Sequence, residues 1–327
     1  MRMYFAPMEG ITDAIFRQAY QACFGGVDKY FMPFISPSPS LSYTGREAFD
    51  LSPAQNRGLY AVPQILARDA VCFLGAAGDL REMGYGEVNL NLGCPSGTVT
   101  GKGKGAAMLR DVDCLQRFLD QVYANVSMPV SIKTRIGFDT PKEWEKILPV
   151  FARYPVHELI LHPRTRQQLY RGTPHLQALE AALETLKCPV VYNGDLFTAG
   201  DVENLLHAYP GLSGVMLGRG LLSNPALLRE LGGGEKLQME DLVRLHDHLL
   251  RACMQLRSPI GAVGRMHVFV KYFAHSMDVP VRYVRAALRE NKPEAYQEAV
   301  GEMFRMASIR ECPRYDQENA APNGASL

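Results

Sequence analysis

Val130-Ser-Ile-Lys-Thr-Arg-Ile-Gly137 is followed by a helix-period segment over 141–154 and then by Glu158-Leu-Ile-Leu-His-Pro-Arg164. The two short runs are rich in branched apolar residues, as expected of strands covered on both faces. The segment between them is long enough for a helical crossover. The three together predict one strand–helix–strand unit of a parallel sheet.

The same alternation extends in both directions. Strand-like runs occur at 3–8, 28–34, 61–66, 87–93, 190–195 and 214–220, and further helix-period segments at 112–126 and 176–186. Eight runs with helical crossovers predict an α/β fold, a (β/α)8 TIM barrel rather than an open sheet. Residues 35–60 hold a Ser-Pro-Ser-Pro-Ser segment at 36–40 and little helical period, and are expected to form an irregular excursion. Gly232-Gly233-Gly234 reads as a boundary. Beyond it the pattern turns helical and strand signals vanish. The expected organisation is therefore a catalytic barrel over 1–234, a small C-terminal all-helical domain over 235–312, and a polar tail over 313–327 expected to be disordered.

A composition of 47% hydrophobic and 21% charged residues suits a globular chain with a large core. No apolar run approaches the roughly 18 residues a membrane helix needs, and the N-terminus has no apolar leader. A cytoplasmic protein with no membrane partner is expected. The seven cysteines are widely spaced and form no CxxC pair, which argues against a disulfide framework or a Cys-rich metal site. His246 and His248 are two apart on a helical segment and point away from each other, so no metal site is expected. The formal net charge of +1 does not by itself announce a nucleic-acid binder. Residues 236–310 nevertheless carry twelve basic against eight acidic side chains, an excess of four.

In parallel barrels the chemistry sits at the C-terminal ends of the strands. The polar residues there are Pro7-Met8-Glu9, Gln64, Asn91 through Cys94, Lys133 and Arg135, His162 and Arg164, Asn193-Gly194-Asp195, and Gly218-Arg219-Gly220. The last two groups follow strands seven and eight, where such barrels commonly bind phosphate. Glycine admits a close approach and arginine a bidentate contact. A lysine at a strand end inside the mouth, Lys133, needs either a neighbouring carboxylate or an anionic ligand, such as a reduced flavin. A lone cysteine is more often a small core residue than a catalyst. Cys94, however, directly follows a strand and opens a glycine-rich loop with Lys102 and Lys104, which places it near an anion.

Asn89-Leu90-Asn91-Leu92-Gly93-Cys94-Pro95, with Gly105-Ala106 downstream, resembles the signature segment of the tRNA-dihydrouridine synthase family. Further segments resemble that family's motifs in the family order. They are Ala6-Pro7-Met8-Glu9-Gly10, Gln64, Lys133-Thr134-Arg135-Ile136-Gly137, His162-Pro163-Arg164-Thr165-Arg166-Gln167-Gln168-Leu169-Tyr170, Asn193-Gly194-Asp195 and Gly218-Arg219-Gly220. Matches run from residue 4 to about 225, and Arg265-Met266-His267 and Lys271 resemble the family's helical RNA-binding domain more loosely. Pro163 departs from the pattern, since the family more often has glycine there.

The resemblance implies FMN as cofactor, NADPH as its reductant and tRNA as partner. It implies hydride delivery from flavin N5 to C6 of a uracil, with Cys94 giving the proton to C5. A thiol of ordinary pKa about 8.5 is protonated near neutral pH yet acidic enough to donate. By the same resemblance Ala6, Pro7, Met8, Gln64, Lys133, His162, Asn193, Gly194, Asp195, Gly218 and Arg219 would hold FMN. Asn91, Lys102, Lys104, Arg135, Arg164, Thr165, Gln168, Tyr170, Arg265 and Lys271 would meet the base or the RNA, whose target uracil must leave its stack. A monomer is expected. The competing readings are a flavin enzyme acting on a free pyrimidine and a non-catalytic RNA-binding factor.

Overall fold

A computed structural model describes residues 1–38, 40 and 42–313. Pro39, within the Pro/Ser segment, and the tail from 314 on lie outside the described residues. In chain order the strands of one sheet are β1 (Arg2–Phe5), β2 (Lys29–Phe31), β3 (Ala61–Val62), β4 (Gln64–Ile65), β5 (Val88–Leu92), β6 (Val130–Gly137), β7 (Leu159–Thr165), β8 (Val190–Asn193) and β9 (Gly214–Leu217). The helices are α1 (Ala14–Cys23), α2 (Gly45–Leu51), α3 (Ala70–Glu82), α4 (Gly97–Thr100), α5 (Val112–Asn125), α6 (Trp144–Phe151), α7 (Leu176–Thr185), α8 (Ala199–Ala208), α9 (Arg219–Ser223), α10 (Leu227–Leu231), α11 (Met239–Leu256), α12 (Pro259–Phe273), α13 (Val281–Arg289) and α14 (Pro293–Arg305). These residues divide into two compact units. The first is Met1–Ala14, Asp28–Gly194 and Tyr209–Met216; the second is Ile15–Val27, Asp195–Ala208 and the residues from Leu217 on.

The sheet order is β3-β2-β1-β9-β8-β7-β6-β5-β4, and its paired strands run parallel. Its two ends, β3 and β4, are separated only by Pro63. They are therefore one stretch of chain, pairing with β2 on one side and β5 on the other. The sheet closes on itself as a (β/α)8 barrel. Proline has no N–H to give a ladder, so the strand divides there, while the Pro63 carbonyl still accepts from Asn89 N–H at 2.9 Å.

Tyr4, Ala6, Phe31, Val62, Ile160, Val191 and Met216 form one buried cluster. Residues from strands so far apart in the order meet only inside the closed sheet. Full burial of a side chain of this size stabilises by roughly 1.5–3 kcal/mol. The crossover helices start where their caps dictate: Asp69 accepts from Cys72 N–H at the start of α3, and Asp111 from Cys114 N–H at the start of α5.

Two elements depart from the sequence reading. The excursion 35–60, read as having little helical period, contains α2. Its start is set by a capping box in which Thr44 and Glu47 satisfy each other's backbone N–H. In the second unit a short antiparallel pair, Met277–Asp278 with Ser308–Ile309, accompanies the helices; at two residues each, these strands are too short to show a period. That unit's own core includes Phe16 of α1 stacked on Phe269 of α12 at 5.4 Å.

Candidate active site

In the first unit the strand register brings the polar strand ends together. Gln64 lies opposite Asn89, Asn91 opposite Lys133, and Arg135 opposite His162. Asn91 Nδ2 donates to Gln64 Oε1 at 2.7 Å, and Asn91 Oδ1 accepts from the N–H groups of Gly93 (3.0 Å) and Cys94 (2.9 Å). The amide expected to meet a base edge thus already shapes the turn that presents the thiol.

The loop around Cys94 is held at every side. Arg135 Nε donates to Gly93 O at 3.0 Å, Arg166 Nε to Pro95 O at 3.1 Å, and Ala106 N–H to Cys94 O at 3.1 Å. Gly105 has φ +61, and a Cβ there would sit 2.9 Å from Cys94 O and 3.1 Å from Cys94 Cβ. Only glycine combines that backbone with that approach. Burial pushes the Cys94 thiol above its ordinary range, opposed by the Ser96 backbone and by the positive charges of Arg135 and Lys133. The thiol is therefore protonated near neutral pH.

Lys133 is partly exposed, yet the protein packed around it strips its ammonium of water and, helped by the positive charge of Arg135, pushes its pKa down to about 7. Among the described residues no carboxylate forms an ion pair with it. Of the two readings open from the sequence, the carboxylate partner is absent. The shift comes first from desolvation and then from Arg135, and a bound anion would offset both.

His162 is 7% exposed, and Arg164 Nη1 approaches its Nε2 at 3.2 Å. A guanidinium only donates, so Nε2 accepts and the ring proton sits on Nδ1. Tyr170 packs near the His162 ring, at 6.1 Å between centroids, and near the Arg135 guanidinium.

Three of the residues expected to meet the base or the RNA are buried and engaged with the loop that follows β7. Arg164 is 0% exposed and donates to Gly172 O through both Nε (3.2 Å) and Nη2 (2.6 Å). Arg135 Nη1 donates to Thr165 O and Leu169 O. Thr165 is also buried, and its backbone N–H and hydroxyl exchange hydrogen bonds with Gln168. Their groups satisfy the backbone of the 165–172 loop, whose carbonyls no ladder serves. Pro163 explains where that loop begins. The ladder pairs Arg135 with His162 but Gly137 with Thr165, so β7 carries one extra residue at the proline.

Ala6, Pro7 and Met8 follow β1, and Met8 N–H donates to Thr12 Oγ1 at 2.8 Å. Asn193 Nδ2 donates to Met216 O at 2.8 Å, and a Cβ on Gly194 would collide with the Tyr192 hydroxyl. Lys102 is exposed, while Lys104 Nζ donates to Ser36 Oγ at 2.7 Å. Residues not singled out from sequence are Asn89, Ser131 and Arg166. The alternation Glu87, Asn89, Asn91 was the available signal for the first.

Within the second unit Arg219 Nη2 pairs with Asp195 Oδ1 at 2.6 Å and faces the Phe197 ring. Gly218 precedes α9, and a Cβ on Gly220 would collide with Leu196 O. Arg265 is 8% exposed, against the Phe269 ring, whereas Lys271 is exposed. On α13, Arg282, Arg285 and Arg289 share one exposed face at helical spacing.

A family model described as dihydrouridine synthase matches residues 4–302. The chain belongs to the dihydrouridine synthase family. This family member is an enzyme of the oxidoreductase class. It is 31% identical over 253 residues to tRNA-dihydrouridine synthase B of Pasteurella multocida, covering 77% of this chain and 74% of that one. It is 30% identical over 291 residues to a tRNA-dihydrouridine(16) synthase of Pseudomonas putida, covering 84% and 89%. Among solved structures it resembles morphinone reductase in fold, with a TM-score of 0.52 and 12% identity over 72% of this chain and 86% of that one. No helix of the described residues is long and apolar enough to cross a membrane.

Proposed function

We propose that this chain reduces the C5=C6 bond of a uridine in tRNA to 5,6-dihydrouridine, with FMN as cofactor and NADPH as reductant. The observation that carries this reading is the meeting of a protonated thiol, Cys94, with an ammonium that has no carboxylate partner, Lys133, at the C-terminal ends of neighbouring strands. FMN, when bound, supplies hydride to C6.

The chain's own residues do the rest. Lys133 would hold the negatively charged reduced cofactor, since no carboxylate among the described residues pairs with it. Gln64, His162 and Asn193 are assigned to the same ligand. Ala6, Pro7, Met8 and Gly194 border it, and the contacts of Asp195, Gly218 and Arg219 are carried on the family motif alone. Cys94 gives its proton to C5, and the resulting thiolate is stabilised by Arg135 and Lys133. Arg135, Arg164 and Thr165 hold the 165–172 loop, so that Gln168 and Tyr170 can meet the extruded nucleotide.

RNA grip is assigned to the helical residues 235–312, with Lys271 and the exposed arginines of α13 on phosphates. Lys102 and Lys104 are assigned to RNA near the thiol. The assigned setting is a cytoplasmic monomer.

Incubation with NADPH and tRNA lacking dihydrouridine, followed by nucleoside mass spectrometry, tests the reading. A dihydrouridine peak is expected, reduced about 100-fold or more in Cys94→Ala with flavin still bound. A protein that binds no flavin overturns the reading; one that oxidises NADPH but leaves tRNA unchanged points to a free pyrimidine.

A further inference from the structure

We propose that Asn89 and Ser131 are positioning residues for Cys94, acting through Gln64 and Asn91 as a one-way chain of hydrogen bonds anchored on Glu87. The inference rests on the reading of Cys94 as proton donor.

Glu87, Asn89 and Asn91 are two apart along one strand, so their side chains share the inner face of the barrel wall. Ser131 Oγ donates to Glu87 Oε1 at 2.7 Å, and Asn89 Nδ2 donates to Ser131 Oγ at 3.0 Å. Gln64 Nε2 donates to Asn89 Oδ1 at 2.7 Å, and Asn91 Nδ2 to Gln64 Oε1 at 2.7 Å. Asn91 Oδ1 then accepts the N–H of Cys94. Glu87, Asn89, Gln64, Asn91 and Ser131 are all buried.

Both ends force the direction. Glu87 receives the Lys29 ammonium at 2.7 Å and has only acceptors to offer Ser131. The other oxygen near Ser131 Oγ, Val88 O at 3.4 Å, is also an acceptor. The serine proton points toward these acceptors, and its lone pairs face Asn89. At the far end a backbone N–H can only donate. A terminal amide on its own could rotate and offer nitrogen in place of oxygen. Here each amide is set by the one before it, so Asn91 must present oxygen to the loop. With the chain broken at Ser131, Asn89 Nδ2 loses its acceptor, and the direction of the three amides is set from the Cys94 end alone. The Cys94 turn then keeps its acceptor only with a buried, unpaired N–H at the other end of the chain, so the turn is held less firmly.

The test is alkylation of full-length protein with iodoacetamide near neutral pH. Peptide mass spectrometry follows Cys94 relative to the exposed Cys114. Ser131→Ala is expected to raise the Cys94 rate about tenfold, while Ser131→Thr, which keeps the hydroxyl, stays near the native rate. Tyr4→Phe is the control: it removes a 2.8 Å hydrogen bond to Glu158 beside the same buried charges but lies outside the chain. In turnover, Ser131→Ala is expected to lower kcat for dihydrouridine about tenfold, with KM for tRNA unchanged. If Ser131→Ala does not fold, Asn89→Leu breaks the chain one link further on, with the same expectation. A native Cys94 rate in the broken-chain variant, or an equal rise in Tyr4→Phe, overturns the proposal. A native protein that makes no dihydrouridine overturns the reaction instead. The alkylation contrast, which needs neither flavin nor RNA, then decides positioning alone.

Discussion

The barrel interior has two unlike halves. Strands β1, β2, β3, β7, β8 and β9 contribute Tyr4, Phe31, Val62, Ile160, Val191 and Met216, which pack as one apolar cluster. Strands β4, β5 and β6 contribute Gln64, Asn89, Asn91 and Ser131, which bond in sequence. Apolar packing is non-directional: it fixes distances between walls and tolerates modest change in shape. The amide chain is directional, and each link decides which atom the next one shows. Cys94, the proposed proton donor, follows the polar half. The difference teaches that a barrel of this kind spends apolar burial on staying closed and buried hydrogen bonds on aiming a side chain.

The largest expected way to break the polar half is at its anchor. Lys29 lies 2.7 Å from Glu87 and 2.8 Å from Glu158, both buried. Burial alone would lower its pKa, and the two carboxylates outweigh that and hold it above its ordinary value. Lys29→Met strands two buried carboxylates, and chemical denaturation is expected to show a loss of about 4 kcal/mol. In the apolar half Ile160→Val is expected to cost about 1 kcal/mol in the same measurement, with the alkylation rate of Cys94 unchanged. A rise in that rate would show that the halves are mechanically coupled.

The third effect is a pH dependence. The folded pKa of Lys133, about 7, lies below its unfolded value near 10.5. Between these values the folded state binds fewer protons than the unfolded state, so this group makes stability rise with pH across the window. Below about 7 both states are charged and the full cost of burying the ammonium is present. In cofactor-free protein Lys133→Met is therefore expected to raise Tm by a few degrees at slightly acidic pH. The difference from the native protein should shrink as pH rises. An unchanged difference across the window would remove the desolvated ammonium from the account.

Much of the barrel was legible in the linear pattern. All eight strand runs appear, and Cys94 with its glycine-rich loop stands where the reading put it. Arg135, Arg164, Thr165 and Arg265 are expected at the base or the RNA by the family resemblance; the structure adds that all four are buried, the first three bonded within the 165–172 loop and Arg265 against the Phe269 ring. The α2 helix was missed because it rests on a local cap rather than on an apolar period. The run 87–93 reads from the sequence only as a strand-like run. Its alternating Glu87, Asn89 and Asn91 marked a polar inner face that only register could make meaningful.

By itself the sequence determined the order of strands and helices, the two prolines at which the ladder is interrupted, and the cysteine at a strand end with the glycine that lets its loop close. These follow from periods of two and 3.6 residues and from backbone limits that act locally. Only the tertiary structure decided that the chain closes across Pro63, that Gln64 and Ser131 flank Asn89, and that Lys133 has no carboxylate partner among the described residues. Those outcomes depend on which strands become neighbours and in what register, and an inward-facing side chain does not carry the identity of its neighbour in its own strand.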